Sequence, residues 1–257
     1  MAKAQTIAFE TKARIKRRIK KWAESAGYNV EHARTRDVQL MNQRTVLALL
    51  HERLHQVGKN FFFVQIGAND GVSFDWLYSF VTANRLRGVV VEPLQDFFSA
   101  LCDNYRAYPE VTPVNVAIHR TEREIKIHRV DPSKSEHLPE WTKGIASVDP
   151  AHHLRSGTDS QYMTTEHVRC ITLSELFQQH NISHVDYLQI DVEGYDTEII
   201  KMIDFKSIKP LIIRFEHQLE SGGISEENFK TCSSLLIAEG YYLLMDRYDA
   251  VAYQPFW

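Results

Sequence analysis

The feature that most constrains the fold is a series of short apolar runs, each followed by a segment whose apolar residues have helical spacing. The clearest runs are FFFVQI at 61–66, GVVV at 88–91, VDYLQI at 185–190 and PLIIRF at 210–215. Runs of this kind predict strands buried on both faces, which is typical of a parallel sheet covered by helices. We therefore expect a doubly wound α/β domain.

Further elements are predicted between and after these strands. Strands are expected at 111–118, 124–130 and 168–171, and helices at 73–84, 94–105, 173–180, 197–203 and 226–239. The segments 241–245 and 250–254 predict a closing hairpin, so the sheet should have an antiparallel edge. Residues 131 to about 166 lack any period and predict a long ordered loop or lid. Such a lid would exclude water and bring His152, His153 or His167 to a substrate, although most of these are expected to be plain loop residues.

The first 58 residues predict a basic helical extension ahead of a domain that spans 59–257. Ile15, Ile19 and Trp22 form a narrow apolar stripe between lysines and arginines, and a second helix is expected at 44–56. The ordinary interpretation is a helix packed on one face and solvated on the other. A peripheral membrane contact, a dimer contact or docking to a partner enzyme such as a glycosyltransferase are the alternatives.

Charge and cysteine content argue against several protein classes. The formal net charge is -3, whereas domains that bind nucleic acid usually have a strongly basic face. The three cysteines are odd in number and contain no C-x-x-C pair, which argues against a disulfide framework and a structural zinc site. No apolar stretch has the length of a membrane span, and no secretory signal is visible. We expect a cytoplasmic protein without a nucleic-acid partner.

Ligands of open α/β sheets bind outside the carboxyl ends of the strands. After the first strand, Gly67 permits a sharp turn and Gly71 a close approach where a helix begins. The loop lacks the middle glycine of a dinucleotide fingerprint, and Asp70 disfavours a diphosphate. Glu92 follows the second strand, where a carboxylate can accept hydrogen bonds from both ribose hydroxyls. The loop and Glu92 together favour a nucleoside such as S-adenosylmethionine over a plain turn and a helix-initiating Glu92-Pro93 pair.

Acidic residues follow the next two strand ends. Asp191, Glu193 and Asp196 lie within six residues, and such carboxylates need a cation, a proton or hydrogen-bond donors unless they are solvated. Glu216 and His217 follow the strand PLIIRF. His217 is either a general base or an ordinary structural histidine. These residues would also suit a divalent metal, which we regard as possible but not expected.

Three sequence blocks resemble the FkbM family of methyltransferases: VQIGANDGVSF, VVVEP and YLQIDVEGYDTEII. The last block is the most specific, because a strand leading into Ile-Asp-Val-Glu-Gly is the hallmark of the family. The resemblance extends from about residue 60 to the C-terminus. It implies a Rossmann-like class I methyltransferase fold with a seven-stranded, mostly parallel sheet and an antiparallel C-terminal hairpin. It also implies S-adenosylmethionine as cofactor, S-adenosylhomocysteine as product and O-methylation as the reaction.

The resemblance also implies roles for particular residues. The first loop would wrap the methionine end and the ribose, Glu92 would hold the ribose hydroxyls, and Asp191 would face the sulfonium with Glu193 close by. The residues expected to bind the cofactor are Gln65, Gly67, Ala68, Asn69, Gly71, Glu92, Pro93, Asn115, Ala117 and Asp191. Gln65 stands where many class I members have an acid, so the loop should contribute less to recognition of the methionine amine. Gln189 stands where the family often has lysine.

The expected reaction transfers a methyl group to a hydroxyl, and the candidate bases are Asp191, Glu193 and His217. Family members with similar N-terminal extensions look like polysaccharide or glycolipid tailoring enzymes, which favours a sugar or secondary-metabolite acceptor. Two alternatives remain: a dinucleotide-dependent oxidoreductase, which the glycine pattern disfavours, and a catalytically idle nucleoside-binding protein. Gln65 supports the idle protein, whereas Asp191 and Glu193 argue against it.

Overall fold

A computed structural model describes residues 35–73, 75–219 and 222–255 of the chain. The strands are β1 (Phe62–Ile66), β2 (Arg87–Val91), β3 (Val111–Val114), β4 (Ala117–Ile118), β5 (Glu124–Val130), β6 (Ala146–Ser147), β7 (Met163–Ile171), β8 (Tyr187–Ile190), β9 (Ile212–Glu216), β10 (Tyr242–Met245) and β11 (Asp249–Tyr253). The helices are α1 (Thr35–Val57), α2 (Leu77–Asn84), α3 (Gln95–Tyr105), α4 (His152–Ser156), α5 (Leu173–Gln179), α6 (Asp196–Ile200) and α7 (Glu226–Ala238). The basic stripe predicted around Ile15, Ile19 and Trp22 lies outside the described residues.

The main sheet has seven strands in the order β10-β11-β9-β8-β1-β2-β3. Strands β3, β2, β1, β8 and β9 run parallel, and β11 and β10 join as an antiparallel hairpin. This confirms the predicted doubly wound sheet with its antiparallel edge. The order of the strands reverses between β1 and β8, so the carboxyl ends of these two neighbours form the crevice expected to receive a ligand.

A second sheet, of four strands in the order β4-β7-β5-β6, corrects two predictions. The strand predicted at 111–118 is divided, because the Asn115 side chain bonds to the carbonyls of Glu92 and Pro93 and the chain leaves the main sheet there. The predicted loop ends early, because β7 begins at Met163 and pairs along the whole of β5. The first half of β7 is partly exposed, and its apolar residues are too few for the sequence to predict a strand there.

Helix α1 begins at Thr35, earlier than the predicted start at residue 44. Its residues Val46 and Leu50 are buried in the same core cluster as Phe63. The chain divides into compact units after Met41, and the part of α1 from Asn42 onward belongs to the same unit as the α/β domain.

Several helices are shorter than predicted. Helix α2 begins at Leu77 and not at residue 73, because Asp70 accepts hydrogen bonds from the backbone N–H groups of Val72 and Ser73 and holds a turn there.

Cys102, Cys170 and Cys232 are free thiols, as predicted. Within the described part of the chain, no helix combines the length and the apolar content that crossing a membrane requires.

Candidate active site

A cavity of about 280 Å³ opens at the carboxyl ends of β1, β2 and β8. Its volume is close to the lower end of the range of small-molecule sites, roughly 300–1,000 Å³. Most of the residues predicted to bind a cofactor line it, namely Gln65, Gly67, Ala68, Asn69, Glu92, Pro93, Ala117 and Asp191. Glu193 lines it as well, whereas Gly71, Asn115 and His217 do not belong to its lining.

The loop after β1 is held tightly between the neighbouring strands. The N–H groups of Gly67 and Ala68 both donate to the carbonyl of Val91, each at 3.0 Å. Gly67 has a φ of +80°, and a Cβ atom there would lie 1.8 Å from the carbonyl oxygen of Asp191. Only glycine fits this position, so the turn and the closeness of β1 to β8 depend on Gly67.

Glu92 is buried at the end of β2, with 5% of its surface exposed. Its Oε2 accepts the N–H of Asn69 and its Oε1 accepts the N–H of Leu94, each at 2.9 Å. Burial raises the pKa of Glu92 to about 7, and these two backbone hydrogen bonds oppose the rise. The carboxylate is thus fixed in position, and each oxygen retains a lone pair for a further donor.

Gly71 and Asn115 support the site from outside the cavity. A Cβ atom on Gly71 would lie 2.6 Å from Leu101 and 2.9 Å from Tyr105, so this glycine allows α3 to pack closely. The Asn115 amide donates to the carbonyls of Glu92 and Pro93 at 2.9 and 3.0 Å. Asn115 therefore positions the backbone at Glu92.

An apolar wall faces the loop after β1. It consists of residues from the start of α3, from the second sheet and from the connection that leads into that sheet: Leu94, Phe97, Val116, Ile118, Ile125 and Ile127. Arg129 is 3% exposed, forms a two-oxygen ion pair with Asp96 at 2.6 and 2.8 Å, and lies 4.6 Å from the centre of the Phe97 ring. These contacts fix Phe97 at the cavity. The sequence predicted β5 as a strand, but its position beside the cavity depends on the second sheet.

Carboxyl groups gather at the ends of β8 and β9. Oxygen atoms of Asp191, Glu193 and Glu216 lie within 4.8 Å of one another. Burial, and then the neighbouring carboxylates, raise the pKa of Asp191 and of Glu216 well above the ordinary values. Asp196 accepts the N–H groups of Gly194 and Glu216, and burial raises its pKa to about 7. The cluster is therefore suited to attract a cation or to hold a proton.

Glu193 has a left-handed backbone, with φ of 55°, and its carboxylate is held from two sides. Its Oε2 lies 3.1 Å from Nε2 of His152 and accepts the Gln218 amide at 3.0 Å. The Nδ1 atom of His152 lies 3.2 Å from an Arg155 nitrogen, which can only donate. With Nδ1 facing this donor, Nε2 of His152 is the ring nitrogen that donates to Glu193. Ser147 adds a hydrogen bond to the Glu193 carbonyl at 2.8 Å.

The methyltransferase FkbM domain model matches residues 65–241, which is more than half of the chain. The chain belongs to the FkbM methyltransferase family. Family membership assigns the protein to the methyltransferases as an enzyme class. No curated protein matches it at a significant level.

Solved methyltransferase structures resemble the FkbM chain at low identity. The precorrin-6y C5,15-methyltransferase of Geobacter metallireducens has 14% identity and a TM-score of 0.36, over 76% of this chain and 81% of that one. The N-terminal domain of human METTL16 with SAH has 10% identity and a TM-score of 0.44, over 91% and 78%. Aeropyrum pernix fibrillarin with natively bound S-adenosyl-L-methionine has 12% identity and a TM-score of 0.39, over 76% and 67%.

The remaining histidines of interest in this FkbM protein lie away from the cavity lining. The buried His217 accepts the Leu219 N–H on Nδ1, so its Nε2–H is directed to the carbonyl of Asp246 at 3.3 Å. Both ring nitrogens thus serve the backbone, which disfavours His217 as a base. His153 bonds to Ser160, and His167 pairs with Glu124 at the surface.

Several residues of the cavity were not predicted as site residues. Asp75 and Arg214 line it from the loop before α2 and the main sheet, and Trp141 and Ser147 line it from the segment between β5 and β7. Gln189, which the sequence indicates as a departure from the family pattern, lines it as well. Trp141 is 51% exposed, and a tryptophan within an otherwise polar loop is an available signal. Asp75, Arg214 and Ser147 carry no comparable signal.

Proposed function

We propose that this FkbM methyltransferase uses S-adenosylmethionine to methylate a hydroxyl group of a sugar, a polysaccharide or a secondary metabolite. The observation that supports this most is the carboxylate of Glu92. It is buried, fixed by two backbone N–H groups and placed in the same cavity as the acids Asp191 and Glu193. An acceptor for ribose hydroxyls and a pair of anions beyond it suit a cationic nucleoside.

The residues present fit this cofactor from end to end. Glu92 would hold the ribose hydroxyls, and the apolar side chains of Phe97, Val116 and Ile118 would enclose the adenine. Asp191 lines the cavity and would lie near the sulfonium. When bound, S-adenosylmethionine supplies an activated methyl group on a positively charged sulfur.

We assign the proton of the acceptor hydroxyl to Glu193. The Glu193 carboxylate would accept the hydroxyl proton as the acceptor oxygen takes the methyl group that S-adenosylmethionine would supply. Among the described residues, the donors His152 and Gln218 both bond to Oε2, so Oε1 would accept that proton. Because a carboxylate base is at hand, the proposal requires no divalent metal, although the spacing of Asp191, Glu193 and Glu216 would accept one.

The acceptor would enter beside Trp141, whose exposed ring offers a flat apolar surface at the cavity. A sugar face suits such a surface better than a charged acceptor does. The same proposal includes a cytoplasmic location and no nucleic-acid partner. It also includes a contact of the N-terminal extension with a membrane or with a partner enzyme.

The test is an assay with methyl-labelled S-adenosylmethionine and a panel of sugar hydroxyls, amines and thiols, with products identified by mass spectrometry. We expect label in a methyl ether, and its loss in Glu193→Gln. Label in an N-methyl or S-methyl product would contradict the proposed O-methylation. Label transfer that persists in Glu193→Gln would contradict the assigned base.

A further inference from the structure

Gln218 contacts the acidic residues of the site from the loop that follows β9. Its Nε2 donates to Oε2 of Glu193 at 3.0 Å. Burial and the neighbouring carboxylates raise the pKa of Glu216, and a hydrogen bond from Gln218 opposes this rise. An amide nitrogen has two N–H groups, whereas a carboxylate only accepts. One amide therefore serves two acids, which belong to the ends of different strands.

The backbone of Gln218 is held in an unusual conformation. Its φ is 41°, in the left-handed region that residues other than glycine seldom adopt. Its carbonyl accepts the N–H groups of Gly222 and Gly223 at 3.0 and 3.1 Å, and its own N–H donates to the carbonyl of Tyr248 at 3.3 Å. A strained conformation of this kind persists only where the surrounding contacts determine it. Since Glu193 also has a left-handed backbone, both partners of the hydrogen bond are fixed at the main chain.

Two glycines determine where the Gln218 amide points. A Cβ atom on Gly223 would lie 2.6 Å from Cβ of Gln218 and 3.0 Å from its Oε1, so a side chain there would displace Gln218. A Cβ atom on Gly194 would lie 3.3 Å from the carbonyl oxygen of Gly223, so the loop after β8 packs closely against the same residue. With Oε1 beside Gly223, the Nε2 atom faces Glu193. Packing and hydrogen bonding thus select the same orientation of the amide.

We propose that Gln218 is a positioning residue that holds the Glu193 carboxylate ionised and oriented toward the acceptor hydroxyl. This inference rests on the proposed function, in which Glu193 accepts the hydroxyl proton at Oε1. By donating to Oε2, Gln218 stabilises the charged form of the carboxylate from the opposite side. Unlike His152, an amide does not titrate, so it donates at every working pH. The titratable groups around Glu193 are the imidazole of His152 and three carboxyl groups, those of Asp191, Asp196 and Glu216.

The first test observes the Glu193 carboxyl directly and needs no acceptor. In protein labelled with ¹³C at the glutamate carboxyl groups, the Glu193 resonance is identified by its absence from Glu193→Gln. Gln218→Met removes the N–H donors at nearly the same side-chain length. We expect the titration midpoint of the Glu193 resonance to move upward by about one pH unit, the usual effect of losing a hydrogen bond to a charged group. Gln178→Met, on the exposed side of α5, is the matched control and should leave the midpoint unchanged.

The second test measures kcat with the hydroxyl compound that the labelling assay identifies, and affinity for S-adenosylhomocysteine by calorimetry. We expect Gln218→Met to lower kcat by roughly tenfold or more and to change the affinity less than about twofold, because the amide bonds to the base and not to the cofactor. An unchanged titration midpoint of Glu193 would overturn the inference, and so would equal losses of kcat and affinity. If the wild-type protein methylates no hydroxyl, or if Glu193→Gln keeps the wild-type rate, the proposed function fails instead, and the titration of Glu193 still shows whether Gln218 stabilises its charge.

Discussion

At the end of β2, the carboxylate of Glu92 has a structural role and is the group to which we assign ribose binding. It closes the loop after β1 by accepting the Asn69 N–H, and it begins the next connection by accepting the Leu94 N–H. Both hydrogen bonds come from backbone, so the orientation of the carboxylate does not depend on a mobile side chain. A ribose diol would then meet a preorganised acceptor, which lowers the entropic cost of binding.

Glu92 leads to a prediction about pH. Burial raises the pKa of Glu92 to about 7 in the free protein, so the group becomes protonated as the pH falls below neutrality. A protonated carboxyl has fewer acceptor sites, so affinity for S-adenosylhomocysteine should fall by up to about tenfold per pH unit below 7. Calorimetry at pH 6, 7 and 8 measures this. In Glu92→Gln the affinity should be weak at all three values, and a wild-type affinity that is independent of pH would contradict the prediction.

Glu193 and His217 provide a matched pair of substitutions. Glu193→Gln removes the proposed base and should lower kcat by roughly 10²–10⁴, with little change in cofactor affinity. His217→Asn retains an acceptor for the Leu219 N–H and should leave kcat within about threefold, since backbone groups occupy both ring nitrogens. Steady-state measurements of kcat in the two variants show whether Glu193 or His217 is the base. A large loss of kcat in His217→Asn would restore histidine as the candidate base.

Residues at strand ends were predictable because one rule places ligands there. That rule indicates Gly67, Glu92, Asp191 and Glu193 from the sequence alone, and all four line the cavity. Asp75 was not predictable, because a loop acid approaches the end of β1 only when α2 begins at Leu77. The rule also holds for Glu216, which ends β9 and joins the acidic cluster. Its neighbour His217 is not part of that cluster.

The segment between β5 and β7 is the element that departs most from its prediction. A long ordered loop or lid is predicted there, whereas the segment also contains β6 and α4 and is held to Glu193 by Ser147 and His152. A sequence without period conceals such a segment, because its order comes from contacts with distant residues and not from local repetition. Its predicted closure as a lid remains a prediction.

Docking through His152 can be tested. His152→Ala removes a donor to a carboxylate and should lower kcat by roughly tenfold or more, through loss of the orientation of Glu193. His152→Gln offers an N–H at a similar reach and should recover part of the rate. His167→Ala is the control, since His167 pairs with Glu124 at the surface. If the Ala variants of His152 and His167 behaved alike in kcat, the positioning role would be wrong.

Across the whole molecule, the site lies at the switch point of the main sheet and depends on the domain that surrounds it. Helix α1 belongs to that domain through Val46 and Leu50, and Arg53 pairs with the buried Asp186 at 2.7 Å, just before β8. The parallel strand pattern predicted the main sheet well, because buried strands have a strong local signature. The second sheet was harder to predict because its pairings join segments far apart in the chain.

The raised pKa values of the site also affect global stability. Glu92 and Asp196 each have a pKa of about 7 in the folded protein, above the ordinary values of 4.5 and 3.8. Between those values the folded state binds more protons than the unfolded state, so stability falls as the pH rises. The free energy of unfolding should be higher at pH 6 than at pH 8 by about 1–3 kcal/mol. Urea denaturation at the two pH values measures this difference in the free energy of unfolding. Glu92→Gln should reduce the difference. A protein that is more stable at pH 8 than at pH 6 would contradict the prediction.

A calorimetric titration of the purified wild-type protein with S-adenosylhomocysteine, with NADH titrated in parallel, tests the nucleoside site. We expect S-adenosylhomocysteine to bind to one site per chain, Glu92→Gln to weaken this binding, and NADH not to bind. Binding of NADH in its place, or of neither ligand, would contradict a nucleoside site built around Glu92 and the methyl transfer that depends on it.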